Sequence, residues 1–142
     1  DAEVPLDGVQ VVDGSGLTID NRLTCRTLVD LLTREGSGPV VRDGLAVAGE
    51  TGTLADRWRG TEVAGRMRAK TGSLRNVTAL AGEVEPVRGG ALTFAYVANV
   101  PDPGEVTLED VHLAELPEIL VDYPRGVDVA ALAPLPATAV EP

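Results

Sequence analysis

The sequence predicts an α+β fold in which an antiparallel sheet is flanked by helices. Residues 65–72 alternate cationic with apolar side chains, which is typical of a half-exposed strand. Two apolar runs, residues 77–84 and 91–100, follow after short connections rich in turn residues. Three consecutive strands with short connections predict an antiparallel meander. Apolar residues at helical spacing occur before and after this region and supply the helices.

The alternation in residues 65–72 places this strand at the edge of the predicted sheet. Lys70 stands near its end, between Ala69 and Thr71. Residues 91–100 are almost wholly apolar, and such a strand is expected to be buried on both faces. Its outer edge should therefore pair with strands from elsewhere, because a long bare apolar edge invites aggregation.

The first part of the chain predicts a short strand, a turn and a helix. The strand is the apolar run 9–12, and the turn is the Gly-rich stretch 13–16. Thr24 is placed to cap the helix. The apolar stripe of that helix consists of Cys25, Leu28, Val29 and Leu32. Because Cys25 falls in this stripe, core packing is its expected role.

The remaining elements are less regular. Residues 37–50 contain Gly and Pro and are expected to form a loop. Thr53 begins a pattern that resembles a capping box, which predicts a short helix over residues 54–58. A final helix is expected to be capped by Thr107, with Asp110 in its first turn and Pro117 as a kink. We expect one domain portion over residues 1–123 and a Pro/Ala-rich tail over residues 124–142.

Composition excludes several classes of function. The net charge is −10, and binding phosphates needs clustered cations, so nucleic acid is not an expected partner. No apolar run approaches the roughly 18 residues needed to span a membrane. Residues 42–88 carry eight bases against six acids. This segment is either ordinary solvated surface or a mildly positive region that meets an anionic ligand.

The single cysteine and single histidine limit the chemistry further. Cys25 cannot form an internal disulfide, and His112 is far from it in sequence, in an acidic stretch. One His and one Cys cannot form a structural zinc site of the usual kind. We therefore expect no metal site and no cofactor.

Lys70 is the residue whose type is most informative. The chain has eleven arginines and this one lysine, which indicates a role for a compact ammonium, although a surface lysine would also fit. It begins Lys70-Thr71-Gly72, a motif of penicillin-binding proteins and serine β-lactamases that also occurs by chance elsewhere. A cation and a hydroxyl on a strand edge can hold a carboxylate, and a glycine lets a ligand approach closely.

A longer series of motifs carries a more specific resemblance. It consists of Asp13-Gly14-Ser15-Gly16-Leu17, Asp20-Asn21-Arg22, Gly52-Thr53-Leu54, Gly60-Thr61, Arg66-Met67-Arg68-Ala69-Lys70-Thr71-Gly72-Ser73-Leu74 and Ala79-Leu80-Ala81-Gly82. In this order the motifs resemble the C-terminal part of the D-alanyl-D-alanine carboxypeptidase/endopeptidase family of low-molecular-mass penicillin-binding proteins. The resemblance covers about residues 8–100 and, more loosely, the final helix.

The resemblance implies a site made of three motifs, of which this sequence contains one. The family's nucleophile lies in Ser-x-x-Lys, and a Ser-x-Asn faces it. The serines here are Ser15, Ser37 and Ser73, followed three positions later by Thr18, Val40 and Asn76, and two positions later by Leu17, Pro39 and Arg75. The chain is therefore expected to be a C-terminal piece whose partner is the upstream part of the same protein.

The resemblance also implies roles for the residues that match. Lys70 supplies positive charge toward the substrate and tunes the proton relay. The Thr71 hydroxyl binds the terminal carboxylate of D-alanine or the acid of a β-lactam, and Gly72 lets the peptide lie against the strand. The backbone N–H of Ser73 is an oxyanion donor, and its side chain is close to the carboxylate. Ser15 has no nearby base, so the 13–17 segment is interpreted as a structural turn.

The implied activity is hydrolysis of the terminal D-Ala-D-Ala bond of peptidoglycan stem peptides, with acylation by β-lactams, outside the cytoplasmic membrane. Two alternatives remain open from the sequence. One is a non-catalytic relative that binds or scaffolds wall peptides. The other is an unrelated α+β interaction domain in which Lys-Thr-Gly occurs by chance.

Overall fold

The computed structural model describes residues 4–74, 77–99 and 115–124, and it confirms the α+β prediction. Four antiparallel strands form one sheet in the order β1-β2-β3-β4. The strands are β1 (Ala46–Val47), β2 (Met67–Leu74), β3 (Val77–Val84) and β4 (Leu92–Asn99). The helices are α1 (Cys25–Thr33), α2 (Ser37–Asp43), a 3₁₀ helix (Gly52–Leu54) and α3 (Leu116–Asp122).

The predicted meander is confirmed in β2, β3 and β4. Met67 pairs with Val84 at one end of the β2–β3 ladder, and Leu74 pairs with Val77 at the other. Alternate residues along β3 are buried, and β2 shows the same alternation over its first four residues. Because successive side chains of a strand point to opposite faces, one face of the sheet lies on the core.

The core lies on that face and is built mainly from aliphatic side chains. Its buried members are Ala48, Leu54, Val63, Met67, Ala69, Leu80, Val84 and Val121. Three of the four aromatic residues, Trp58, Phe94 and Tyr96, are only partly buried and pack around this cluster. Val121 brings α3 onto the face, and Leu54 does the same for the 3₁₀ helix.

Helices α1 and α2 belong to the other side of the sheet. Glu83 alternates with the buried Gly82 and Val84, so its side chain lies on the face opposite the core. There it forms an ion pair with Arg42 of α2. Thr24 caps α1 as predicted, since its hydroxyl accepts a hydrogen bond from the Thr27 backbone N–H at 3.1 Å.

Two predictions for the first part of the chain are wrong. The predicted strand 9–12 is a single β-bridge between Gln10 and Arg22. The backbone N–H of Val12 is bound instead by the Asn21 side chain at 2.8 Å, which ends the ladder after one pair. Cys25 is exposed, because it is the first residue of α1 and the buried stripe reaches full burial only at Leu32.

The expected loop at residues 37–50 is also wrong, because it contains α2 and β1. Pro39 is the third residue of α2, where its backbone nitrogen has no hydrogen bond to lose within the helix. Gly36 precedes the helix with a φ of 83°, a conformation that favours glycine. Pro39, one of the residues that suggested a loop, therefore lies in the first turn of a helix.

Three further expectations are corrected. The predicted helix 54–58 is a 3₁₀ helix that starts two residues earlier, with Thr51 at its N-cap. Strand β4 is half-buried rather than fully buried on both faces. Pro117 lies in the first turn of α3, where proline is tolerated, and does not kink the described helix. The predicted roles of Thr107 and Asp110 and the tail after Pro124 lie outside the described residues.

The Lys-Thr-Gly strand edge and its relatives

Strand β1 covers only part of the outer edge of β2. Ala46 pairs with Ala69 and Val47 with Arg68, and there the pairing stops. From Lys70 to Leu74 the outer edge of β2 has no partner strand among the described residues. The strand of Lys70 is thus not the edge strand that was predicted, because β1 lies outside it, but Lys70 itself lies on this unpaired stretch, which we call the open edge. The short strand β1 was not predicted, because residues 37–50 were expected to form a loop.

The backbone groups that face outward on the open edge belong to Thr71 and Ser73. The carbonyl of Met67 accepts a hydrogen bond from the Ala48 N–H at 2.9 Å, so Met67 faces away from β3. Alternate residues of an antiparallel strand point their N–H and C=O groups to the same side. The Ser73 N–H therefore lies on the side that its predicted role as an oxyanion donor requires.

The side chains of the motif divide between the two faces of the sheet. Thr71 and Ser73 share a face with the buried Met67 and Ala69, whereas Lys70 is exposed and projects from the opposite face. The Lys70 ammonium nevertheless reaches the open edge, where Nζ donates a hydrogen bond to the Thr71 carbonyl at 2.6 Å. The structure thus brings the charge of Lys70 to the outward-facing backbone of its neighbour.

Thr71 has a second partner that the sequence did not suggest. Its hydroxyl donates a hydrogen bond to Thr53 Oγ1 of the 3₁₀ helix at 3.4 Å. Thr53 lies 18 positions earlier in the chain, and only the folding of the 3₁₀ helix onto β1 and β2 brings the two together. No local pattern in the sequence could have indicated this pair.

Gly72 is exposed and lies opposite Ala79 of β3. A Cβ atom at Gly72 would lie 3.3 Å from the Ala79 Cβ, closer than ordinary van der Waals contact. A side chain here would therefore crowd β3 and would also cover the face of the strand beside the open edge. This fits the predicted role of Gly72 in close ligand approach.

The turn at Asp13 is held by its own hydrogen bonds. The Asp13 carboxylate accepts hydrogen bonds from the Ser15 hydroxyl at 2.6 Å, the Asn21 amide at 2.8 Å and the Gly16 N–H at 3.2 Å. Ser15, Asn21 and the Gly16 backbone stabilise the ionised carboxylate and lower the pKa of Asp13. A carboxylate with a lowered pKa is a weak base, which supports the interpretation of Ser15 as part of a structural turn.

The described residues show no group of three or more His, Cys, Asp or Glu side chains that could hold a metal ion. No helix over residues 4–74, 77–99 and 115–124 is long and apolar enough to cross a membrane. The groups that the described site does present are a cation, hydroxyls and backbone donors on one strand edge.

Comparison with known protein families tests the family resemblance that the sequence motifs suggest. The sequence model of the D-Ala-D-Ala carboxypeptidase 3 (S13) family matches residues 1–114. The chain belongs to this family. The match spans the Asp13 turn and the whole of the Lys-Thr-Gly strand, so the predicted resemblance to D-Ala-D-Ala carboxypeptidases is confirmed.

Individual relatives agree with this assignment. The carboxypeptidase DacB of Mycolicibacterium smegmatis is 41% identical over 123 residues, which cover 80% of this chain and 26% of the relative. A D-alanyl-D-alanine carboxypeptidase of Actinomadura is 41% identical over 120 residues, which cover 78% of this chain and 22% of the relative. The chain thus spans about a quarter of the length of these two carboxypeptidases.

A solved structure shows the same fold. Penicillin binding protein 4 of Haemophilus influenzae superposes with a TM-score of 0.69 over 84% of this chain and 29% of that protein. The sequence identity is 24%, so this likeness concerns the fold. It agrees with the predicted antiparallel sheet of a penicillin-binding domain.

Proposed function

We propose that the protein containing this chain is a serine DD-peptidase. It hydrolyses the terminal D-Ala-D-Ala bond of peptidoglycan stem peptides through an acyl-enzyme, and β-lactams acylate it. The observation that carries the proposal is that Lys70, Thr71, Gly72 and Ser73 lie on the open edge of β2, in a chain of the D-Ala-D-Ala carboxypeptidase family.

The open edge suits a peptide substrate. An extended peptide can add to an exposed sheet edge through main-chain hydrogen bonds, and the outward groups of Thr71 and Ser73 supply the partners. In this arrangement the Ser73 N–H donates to the oxyanion that develops during acyl transfer. Gly72 keeps the strand free of a side chain where the peptide approaches.

The carboxylate of the substrate is assigned to Lys70 and Thr71. The ammonium group of Lys70 has three donors, so it can bind the Thr71 carbonyl and still attract an anion. The Thr71 hydroxyl donates to the terminal carboxylate of D-alanine, and a β-lactam presents its acid group to the same residues. A hydrogen bond to a charged group is stronger than one between neutral groups.

The nucleophile is proposed to lie in the rest of the protein, because none of the serines in this sequence is followed three positions later by lysine. There, the serine hydroxyl of Ser-x-x-Lys attacks the peptide carbonyl while its lysine accepts the proton. The C–N bond breaks, the proton passes to the leaving D-alanine, and water then hydrolyses the ester. Ser-x-Asn forms the facing wall. The enzyme works outside the cytoplasmic membrane, where peptidoglycan is found.

The test uses the complete protein with a peptide that ends in D-Ala-D-Ala and with a labelled penicillin. We expect release of D-alanine and a covalent penicillin adduct on a serine outside this chain. Lys70→Ala should strongly lower both rates, whereas Arg88→Ala, a matched loss of an exposed cation in the β3–β4 loop, should leave them unchanged. Binding of the peptide without release of D-alanine or an adduct would instead indicate a non-catalytic peptide-binding protein.

A further inference from the structure

Thr53 stands beside the point where β1 stops covering β2. Strand β1 ends its pairing at Ala69, and Thr71 is the first residue beyond it whose backbone faces outward. The Thr53 hydroxyl lies 3.4 Å from the Thr71 hydroxyl at this position. Thr53 itself is exposed and Thr71 is half-buried, so the hydroxyl pair is open to the same solvent as the open edge.

The segment that carries Thr53 is held firmly on both sides. Its neighbour Leu54 is fully buried in the core, and the Leu54 carbonyl accepts a hydrogen bond from the Gly49 N–H at 2.9 Å. On the other side, the Thr51 hydroxyl accepts a hydrogen bond from the Val47 N–H of β1 at 2.8 Å. Thr53 therefore has a backbone position fixed by the core and by β1.

Gly52 shows how close this segment lies to the sheet. Its φ is 57°, and a Cβ at this position would lie 3.0 Å from the Ala46 Cβ of β1. Both features favour glycine at the residue before Thr53. The close packing of Gly52 on β1 thus places Thr53 beside the end of β1, where its hydroxyl can reach Thr71.

We propose that Thr53 is a positioning residue that orients the Thr71 hydroxyl toward the carboxylate of the ligand. This inference rests on the proposed function, in which Thr71 donates to that carboxylate. A hydroxyl carries one proton and two acceptor lone pairs, and its proton rotates to suit its partners. When the Thr71 proton turns to the carboxylate, the Thr53 hydroxyl turns in its place and donates its own proton to a lone pair of the Thr71 oxygen, and the two hydrogen bonds polarise each other.

The separation of the two hydroxyls in the absence of ligand fits this role. At 3.4 Å the contact is longer than the usual 2.7–2.8 Å of a hydroxyl–hydroxyl hydrogen bond. The pair is thus close enough to orient Thr71 but leaves its proton free to change partner. Valine in place of Thr53 keeps the shape and removes only this polar contact.

A double-mutant cycle in the complete protein tests the proposal. The rate of acylation by a D-Ala-D-Ala peptide is measured for wild type, Thr53→Val, Thr71→Val and the double variant. We expect Thr53→Val to lower the rate about three- to tenfold, as expected for one modest hydrogen bond, and to cause no further loss in the Thr71→Val background. Thr53→Ser, which keeps the hydroxyl, should restore most of the rate.

A second substrate separates positioning from a general structural effect. A peptide that ends in D-alaninamide lacks the carboxylate, and Thr53→Val should leave its slower acylation unchanged. Thr93→Val, a matched substitution on β4, should change neither substrate, and all variants should keep the wild-type melting temperature.

The outcomes distinguish the two proposals. If Thr71→Val slows acylation but Thr53→Val does not, or if Thr53→Val slows it equally in both backgrounds, the positioning role is overturned while the proposed function stands. Equal loss with the carboxylate and amide substrates also overturns it. If wild type releases no D-alanine and forms no acyl-enzyme, the proposed function fails, and the positioning role falls with it.

Discussion

Thr71 presents its backbone to the open edge of β2 and its hydroxyl to Thr53 on the core face. This division follows from the alternation of the strand, which sends Lys70 and Thr71 to opposite faces although they are adjacent. The Lys70 ammonium lies at the open edge because the lysine side chain is long enough to reach the Thr71 carbonyl. Three different chemical groups, an ammonium, a hydroxyl and backbone N–H groups, thus meet over two residues.

Replacing Thr71 by valine in the complete protein should weaken acylation by both D-Ala-D-Ala peptides and penicillins. Loss of one hydrogen bond to a charged group is worth about 1.5–3 kcal/mol, which corresponds to roughly a tenfold to hundredfold lower acylation rate. The rate is measured by stopped-flow or quenched-flow labelling at a fixed ligand concentration. An unchanged rate would remove Thr71 from the site.

Asp13 should make the stability of the protein depend on pH in the acid range. Its folded-state pKa is lowered by Ser15 and Asn21, so its contribution is fully present above the pKa of an unfolded Asp, about 3.9. That contribution is lost as the pH falls through the lower, folded-state pKa. We therefore expect Asp13→Asn to lower the denaturation midpoint at pH 7 and to make less difference near pH 3.

The control for this prediction is Asp7→Asn, an exposed carboxylate in the same segment. It should lower the midpoint at pH 7 less than Asp13→Asn does. If the two variants give identical pH profiles, the hydrogen bonds around Asp13 do not contribute to stability in solution.

Gly82 lies where β3 leaves no room for a side chain beside β2. A Cβ at this position would lie 2.0 Å from the Arg68 carbonyl oxygen and 2.7 Å from the Ala69 Cα. Backbone atoms cannot move aside as a flexible side chain can, so Gly82→Ala must push the two strands apart. Overpacking of this kind costs about 1–3 kcal/mol of unfolding free energy, measured by denaturant unfolding of the complete protein.

Gly90→Ala provides a matched control for Gly82→Ala. Gly90 lies in the β3–β4 loop, and a Cβ there would meet nothing within 4 Å. Its effect on the unfolding free energy should stay within about 0.5 kcal/mol. Because the Gly82 change also displaces the strand that carries Lys70, we expect slower acylation for that variant alone; equal effects of both variants would contradict the prediction.

The strands could be predicted better than the elements around them, for a physical reason. Alternation in β2 and β3 reports directly which side chains are buried, and β3 has the predicted bounds, Val77–Val84. Helix α2 and strand β1 were missed because Gly36 and Pro39 are compatible with both a loop and a helix start, and only packing decides. The pair of Thr53 with Thr71 could not be predicted, because it depends on tertiary contact across 18 positions.

The first part of the chain carries many apolar side chains that the described residues do not cover. Leu6, Val11, Leu17 and Ile19 are each exposed over two thirds or more of their surface. Since the chain spans about a quarter of the two carboxypeptidases that it matches, we expect the rest of the same protein to cover these residues.

The 142-residue chain on its own should be catalytically silent. Acyl transfer needs a nucleophile beside a base, and the only lysine, Lys70, is assigned to the binding edge. The purified chain is incubated with a labelled penicillin, and the mass is measured. We expect no adduct on the chain alone and an adduct on the upstream half once the two are combined; an adduct on Ser15, Ser37 or Ser73 would contradict the account.

The length of the open edge also limits how much of a ligand the sheet can hold. Between the last residue paired with β1, Ala69, and the end of β2 at Leu74, only Thr71 and Ser73 face outward. A β-ladder built on this gap therefore has room for two rungs. Two hydrogen-bonded residues are enough to bind the end of a peptide. They make few contacts with the middle of a long extended peptide. If a peptide binds at the open edge as proposed, we therefore expect the sheet to hold the end of a peptide better than the middle of a long one.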